Sequence, residues 1–222
     1  MTLSAREWNP GRIRDTFGSP AFGDIRFAMQ WPSTAQPQPI VLALHYGFDP
    51  NAPFPAYYGE GLLEGLVEPA LGSLGAVLVA PDSHGRQWTD PELQRGLFEF
   101  LDALADHPLV DGTRIGIVGY SMGGIGVWAL ASSSPDRFRA AIAMSARCDV
   151  TDASTLKSLP IRVIHSANDE LFPLEDVRRV VSALVDEGAQ IQVNEVTHPT
   201  HFDVGGFVSP LAEQRAWLVE HL

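Results

Sequence analysis

Short, nearly all-apolar runs alternate with amphipathic segments along most of the chain. Residues 40–44, 76–80, 115–118, 140–144 and 161–164 are each brief, almost wholly apolar and bounded by turn residues. Runs of this kind suit strands buried on both faces, as in a parallel sheet. Residues 25–31 instead alternate apolar and polar positions, which predicts a half-exposed antiparallel strand near a sheet edge. Helix-sized segments at 61–71, 91–105, 122–132 and 174–187 fall between the buried runs. Asp90 followed by Pro91 has the form of an N-cap with proline in the first helical turn, and Gly188 has the form of a C-terminal stop. A further strand at 191–196 and a last helix at 211–222 complete the pattern. Alternating β and α elements of this type predict a three-layer α/β fold with a doubly wound, mostly parallel sheet.

No repeat, low-complexity tract or long linker divides the 222 residues, so one domain spanning 1–222 is expected, with 1–24 as an N-terminal extension or edge hairpin. Only about sixteen residues separate the apolar runs at 140–144 and 161–164, too few for a helical cap domain. A hydrophobic fraction of 45%, with mean hydropathy +0.01, is that of a globular protein rather than a membrane chain. Fifteen basic residues against 27 acidic ones leave a net charge of −12, which argues against nucleic acid or an anionic membrane surface as partners. The single cysteine, Cys148, excludes an intrachain disulfide and predicts a buried or inert thiol in a reducing compartment. Without a basic-then-apolar leader at residues 1–8, a cytoplasmic protein is expected. The sequence carries no signal of oligomeric state.

Gly119-Tyr120-Ser121-Met122-Gly123 carries the sharpest chemistry. The Gly-x-Ser-x-Gly spacing alone is modest evidence, but here it lies between a buried strand and a helix. That is the strand-turn-helix setting which holds a serine on a tight turn at the carboxyl end of a sheet. Glycines two residues to either side fit because strands and helix crowd the turn. Unpaired N–H groups of the helix start can stabilise an anion there.

With this motif in this context, the sequence resembles the α/β-hydrolase superfamily, and its small lidless serine esterases in particular, from about residue 25 to the end. The resemblance implies an order of nucleophile, acid, histidine. It places the acid in the segment His165-Ser166-Ala167-Asn168-Asp169-Glu170, where Asp169 is preferred to Glu170. It places the histidine in Thr197-His198-Pro199-Thr200-His201-Phe202-Asp203, where His201 is favoured over His198 because the family sets its histidine well after the strand end. An oxyanion hole is implied from the N–H of Met122 and a second donor in His45-Tyr46-Gly47-Phe48. There Tyr46 replaces the family's usual first glycine, leaving Tyr46 and Gly47 both open as the donor.

The resemblance thus implies a serine hydrolase that cleaves a carboxylic ester or related acyl compound through an acyl-enzyme, with no metal and no organic cofactor. A small acyl substrate is the expected partner. Phe48, Arg86 and Trp88 are candidates for lining its pocket. His198 and His201 also have an i, i+3 spacing, but zinc needs three or four ligands and no further cluster offers them. A peptidase or thioesterase would use the same triad, and a non-catalytic binding protein could keep the same fold. A dienelactone-hydrolase-like enzyme is disfavoured, because its nucleophile is a cysteine where this chain has Ser121.

Overall fold

The computed structural model describes residues 3–47 and 57–222. Eight strands form one sheet: β1 (Gly11–Ser19), β2 (Gly23–Trp31), β3 (Gln38–Leu44), β4 (Val77–Pro81), β5 (Val110–Tyr120), β6 (Ala140–Met144), β7 (Ile161–Asn168) and β8 (Ile191–Thr200). Their order across the sheet is β1-β2-β4-β3-β5-β6-β7-β8. β1 and β2 form an antiparallel hairpin, β2 runs antiparallel to β4, and every other pair is parallel. The helices are α1 (Tyr58–Leu62), α2 (Glu68–Leu71), α3 (Pro91–Ala105), α4 (Met122–Ser133), α5 (Leu174–Asp186), α6 (Val208–Ala212) and α7 (Arg215–His221).

Two apolar cores, one on each face of the sheet, make the three layers. Ile40, Leu42 and Leu44 of β3 pack with Leu97 and Phe100 of α3, Val127 and Trp128 of α4, and the core continues to Val181 of α5. Val41 and Ala43, on the opposite face, belong with Leu62, Leu66, Leu211 and Leu218. Both faces of β3 are therefore buried, which is why its sequence is apolar without alternation. Asp90 caps α3 as its position predicts, accepting hydrogen bonds from the N–H of Glu92 at 2.9 Å and of Leu93 at 3.3 Å. Gly188, at φ +99°, ends the chain segment after α5 in the left-handed region.

Several elements differ from the sequence expectation. β2 is antiparallel and second from the edge, in line with its expected place near one, but it is buried more fully than its alternation predicts. The 1–24 segment supplies β1, whose residues alternate between half-buried and exposed, and this hairpin covers β2 so that Ile25, Phe27, Ala28 and Met29 are all buried. The helix expected at 61–71 begins at Tyr58 and contains one wide π turn, Leu63–Val67. Pro69 follows that turn; it has no N–H to donate four residues back, and a wider turn relieves the clash of its ring. The last helix is split into α6 and α7 on either side of Gln214, whose N–H closes a tight turn onto Leu211 O at 3.0 Å. The 145–160 connection holds one 3-10 turn, Ala153–Leu156, and no cap. No helix among the described residues is long and apolar enough to cross a membrane.

Candidate active site

The carboxyl ends of β5, β7 and β8 bring three sequence-predicted residues together. Ser121, between β5 and α4, has φ +54°, a left-handed conformation that costs a serine on the order of 1–3 kcal/mol. Packing imposes it. A Cβ on Gly119 would lie 2.2 Å from Gly123 O, and one on Gly123 would lie 1.9 Å from Leu44 O. Strand, turn and helix thus touch backbone to backbone, and only glycine fits at both positions. Gly123→Ala is accordingly expected to cost at least about 4 kcal/mol, read as a lower denaturation midpoint or a loss of soluble protein.

Ser121 Oγ lies 2.9 Å from His201 Nε2, and His201 Nδ1 lies 2.9 and 3.0 Å from the two carboxylate oxygens of Asp169. The Asp169 side chain also accepts the N–H of Leu171 at 3.0 Å and of Phe172 at 2.8 Å. Burial by itself raises an acid's pKa. At Asp169 the hydrogen bond from His201, the Phe172 N–H and the charge of the imidazole outweigh burial and hold the carboxyl at about 2. The sign of the linked stability follows: ionised Asp169 stabilises the fold above pH ~4, and that contribution is lost as the pH falls toward 2. Denaturant melts across this window should show a steeper acid loss in the native protein than in Asp169→Asn.

Beside Ser121 opens a cavity of about 460 Å³, walled by Tyr46, Gly47, Tyr120, Leu171, Phe202 and Val204. Among the described residues its polar side chains are those of Ser121, His201 and the tyrosines, and none of the described residues lining it is Lys, Arg, Asp or Glu. Leu171 and Phe202 expose apolar surface at its rim, 50% and 70% accessible. The N-terminus of α4 starts at Met122, directly after the serine, and Tyr46 and Gly47 also line the cavity.

A family model described as the dienelactone hydrolase family matches residues 80–210, more than half of the chain and all three of Ser121, Asp169 and His201. The chain belongs to the dienelactone hydrolase family. The expectation that Ser121 disfavours a dienelactone-hydrolase-like enzyme concerns the reaction; the family itself includes this chain, and its model matches across Ser121. Among solved structures, a thermostable esterase superposes with TM-score 0.76 at 25% identity over 94% of this chain, which spans 62% of that protein's length. FphF, a fluorophosphonate-binding serine hydrolase of Staphylococcus aureus, superposes with TM-score 0.76 at 15% identity, covering 95% of this chain and 99% of that one. A ferulic acid esterase gives 0.74 at 19% identity, covering 96% and 100%. The fold is that of the α/β-hydrolase esterases. No curated protein matches the sequence.

In this dienelactone hydrolase family member the other predicted residues fall in different places. His198 is exposed on β8, which extends to Thr200 where a loop was expected. Pairing of Thr200 with Asn168 of β7, after an irregularity at Ser166, carries the strand forward and leaves His201 in the turn beyond it. Trp88 and Arg86 do not line the cavity. Trp88 is fully buried against His45, and Arg86 faces outward in ion pairs with Asp90 and Glu92. Phe48 lies outside the described residues. Cys148 is buried, and burial pushes its thiol up to about 12. Among the described residues no group of three or more His, Cys, Asp or Glu is arranged to hold a metal.

Two neighbours of the site escaped the sequence reading. Glu170, set aside in favour of Asp169, accepts the backbone N–H of His201 at 2.8 Å. Tyr120 donates its hydroxyl to His201 O at 2.5 Å. The histidine is therefore held at both ends of its own backbone. Tyr120 lies inside the serine motif itself, so its proximity was available from the sequence, but its bond to a residue 81 positions away was not.

Proposed function

We propose that this protein is a serine hydrolase of small, uncharged carboxylic esters. The observation that supports it most is the unbroken chain of contacts from Ser121 Oγ through both nitrogens of His201 to Asp169. In the first half of the cycle Ser121 Oγ attacks the ester carbonyl carbon while its proton passes to His201 Nε2. Negative charge then develops on the carbonyl oxygen, which the N–H of Met122 and that of Tyr46 or Gly47 receive. Collapse of the tetrahedral intermediate breaks the bond to the leaving alcohol, which takes the proton from His201 and departs. Water enters, gives a proton to His201 and attacks the acyl-enzyme. The acid leaves and Ser121 regains its proton. Throughout, Asp169 keeps Nδ1 protonated and stabilises the imidazolium.

The substrate class follows from the walls. A cavity whose described walls are apolar and carry no charged side chain penalises a carboxylate or ammonium group by desolvation and offers tyrosine and phenylalanine faces to an aryl or alkyl group. A panel of p-nitrophenyl esters tests this reading. Acetate and butyrate are expected to turn over with a burst of p-nitrophenol, the mark of an acyl-enzyme, while a succinate half-ester should lose at least about tenfold in kcat/KM. Equal turnover of the charged and neutral esters would overturn the substrate assignment, and no turnover of any ester or thioester would overturn the reaction.

A further inference from the structure

Residues 45–47, directly after β3, are held by two side chains that are not among those lining the cavity. His45 is buried, and its Nε2 accepts the N–H of Ser83 at 3.0 Å. That leaves the imidazole proton on Nδ1, which donates to Tyr46 O at 2.6 Å. Burial lowers the His45 pKa to about 4, so the ring stays neutral and this pair of bonds persists at neutral pH. Trp88, on the loop between β4 and α3, donates its indole N–H to His45 O at 2.8 Å. Its ring stands edge-on to that of His45, with centroids 4.9 Å apart.

These two bonds determine where two other N–H groups point. In a trans peptide the N–H is directed opposite to the C=O of the same unit. With His45 O drawn inward to Trp88, the N–H of Tyr46 is turned away from it. With Tyr46 O held by the imidazole, the N–H of Gly47 is turned away from the ring. No loop or turn hydrogen bond among the described residues uses either N–H. The same two residues are seated against the helix that follows the nucleophile. A Cβ on Gly126 would lie 2.4 Å from Trp88 Cβ, and one on Gly123 would lie 2.8 Å from His45 O. His45, Trp88 and the Met122 end of α4 are thus packed against one another.

We propose that Trp88 is a positioning residue for the oxyanion-binding peptides. Acting through the His45 carbonyl, its indole N–H holds the Tyr46 N–H, beside the Gly47 N–H that the His45 imidazole holds, in a fixed relation to that of Met122. The inference rests on the serine-hydrolase reading. Because Trp88 makes no contact with substrate, its effect falls on stabilisation of the developing oxyanion and not on substrate binding. Deleting an oxyanion donor outright costs about 10²–10³ in kcat, so loosening one without deleting it is expected to cost about tenfold.

Trp88→Phe removes the donor and keeps an aromatic body. The expected result is kcat lowered about tenfold with KM within about twofold, and an equal loss of affinity for phenylboronic acid, whose adduct with Ser121 carries a tetrahedral anion. Should the phenylalanine variant not fold, Trp88→benzothienylalanine replaces the N–H with sulfur at nearly the same shape and is held to the same expectation. Unchanged kcat in a folded variant, or a lowered kcat with unchanged boronate affinity, overturns the positioning role. If the native protein itself neither hydrolyses esters nor reacts with a fluorophosphonate, the hydrolase reading falls and this inference with it; an active native protein with an equally active variant overturns only the inference.

Discussion

Replacing Ser121 with alanine is expected to lower kcat for p-nitrophenyl butyrate by about 10⁴–10⁶-fold, to the level set by cavity and oxyanion donors alone. The far-ultraviolet spectrum and denaturation midpoint should stay near native, because alanine keeps the Cβ and loses only the hydroxyl that faces His201. Ser121→Gly separates stability from catalysis. It loses the same activity but also relieves the left-handed strain at φ +54°, and is expected to gain about 1 kcal/mol of stability. A position where the native side chain costs stability and its removal costs the reaction is one retained for chemistry. Initial rates at saturating ester and urea melts of the two variants check both halves.

His201→Ala is expected to cost about 10³–10⁶-fold in kcat, whereas His198→Ala should remain within about twofold of native. The contrast follows from position. His201 is buried between Ser121 and Asp169, with its backbone held by Glu170 and Tyr120, whereas His198 lies exposed on β8. Because Ser121 and His201 act on the same proton, the double variant should be no slower than the worse single one. An inactive His198→Ala beside an active His201→Ala would reverse the assignment of the base.

Much of this arrangement was legible in the chain. Buried runs such as those of β3 and β6 are apolar on both faces, and Asp90-Pro91 marks the start of α3 through local chemistry that needs no partner. The serine motif is equally local, since its glycines answer to the turn on which they sit. The acid and histidine were reached by resemblance, and the structure brings both to Ser121. What stayed hidden depends on contacts between distant segments. Residues 1–24 read as either an extension or an edge hairpin because the alternation of β1 is half polar, and it is the pairing with β2 that makes β1 the sheet edge. The polar stretch before His201 looks like a loop because β8 there is an edge strand with exposed side chains. Trp88 read as a wall of the cleft. Its actual bond, to a carbonyl 43 residues earlier, depends on the β4–α3 loop folding against the end of β3 at His45.

The most direct test of the account is covalent labelling of the native protein with a fluorophosphonate, followed by peptide mass spectrometry. The account predicts one adduct per chain, located on Ser121, absent from Ser121→Ala and formed far more slowly in His201→Ala. An adduct on any other residue, or none in folded native protein, would contradict it.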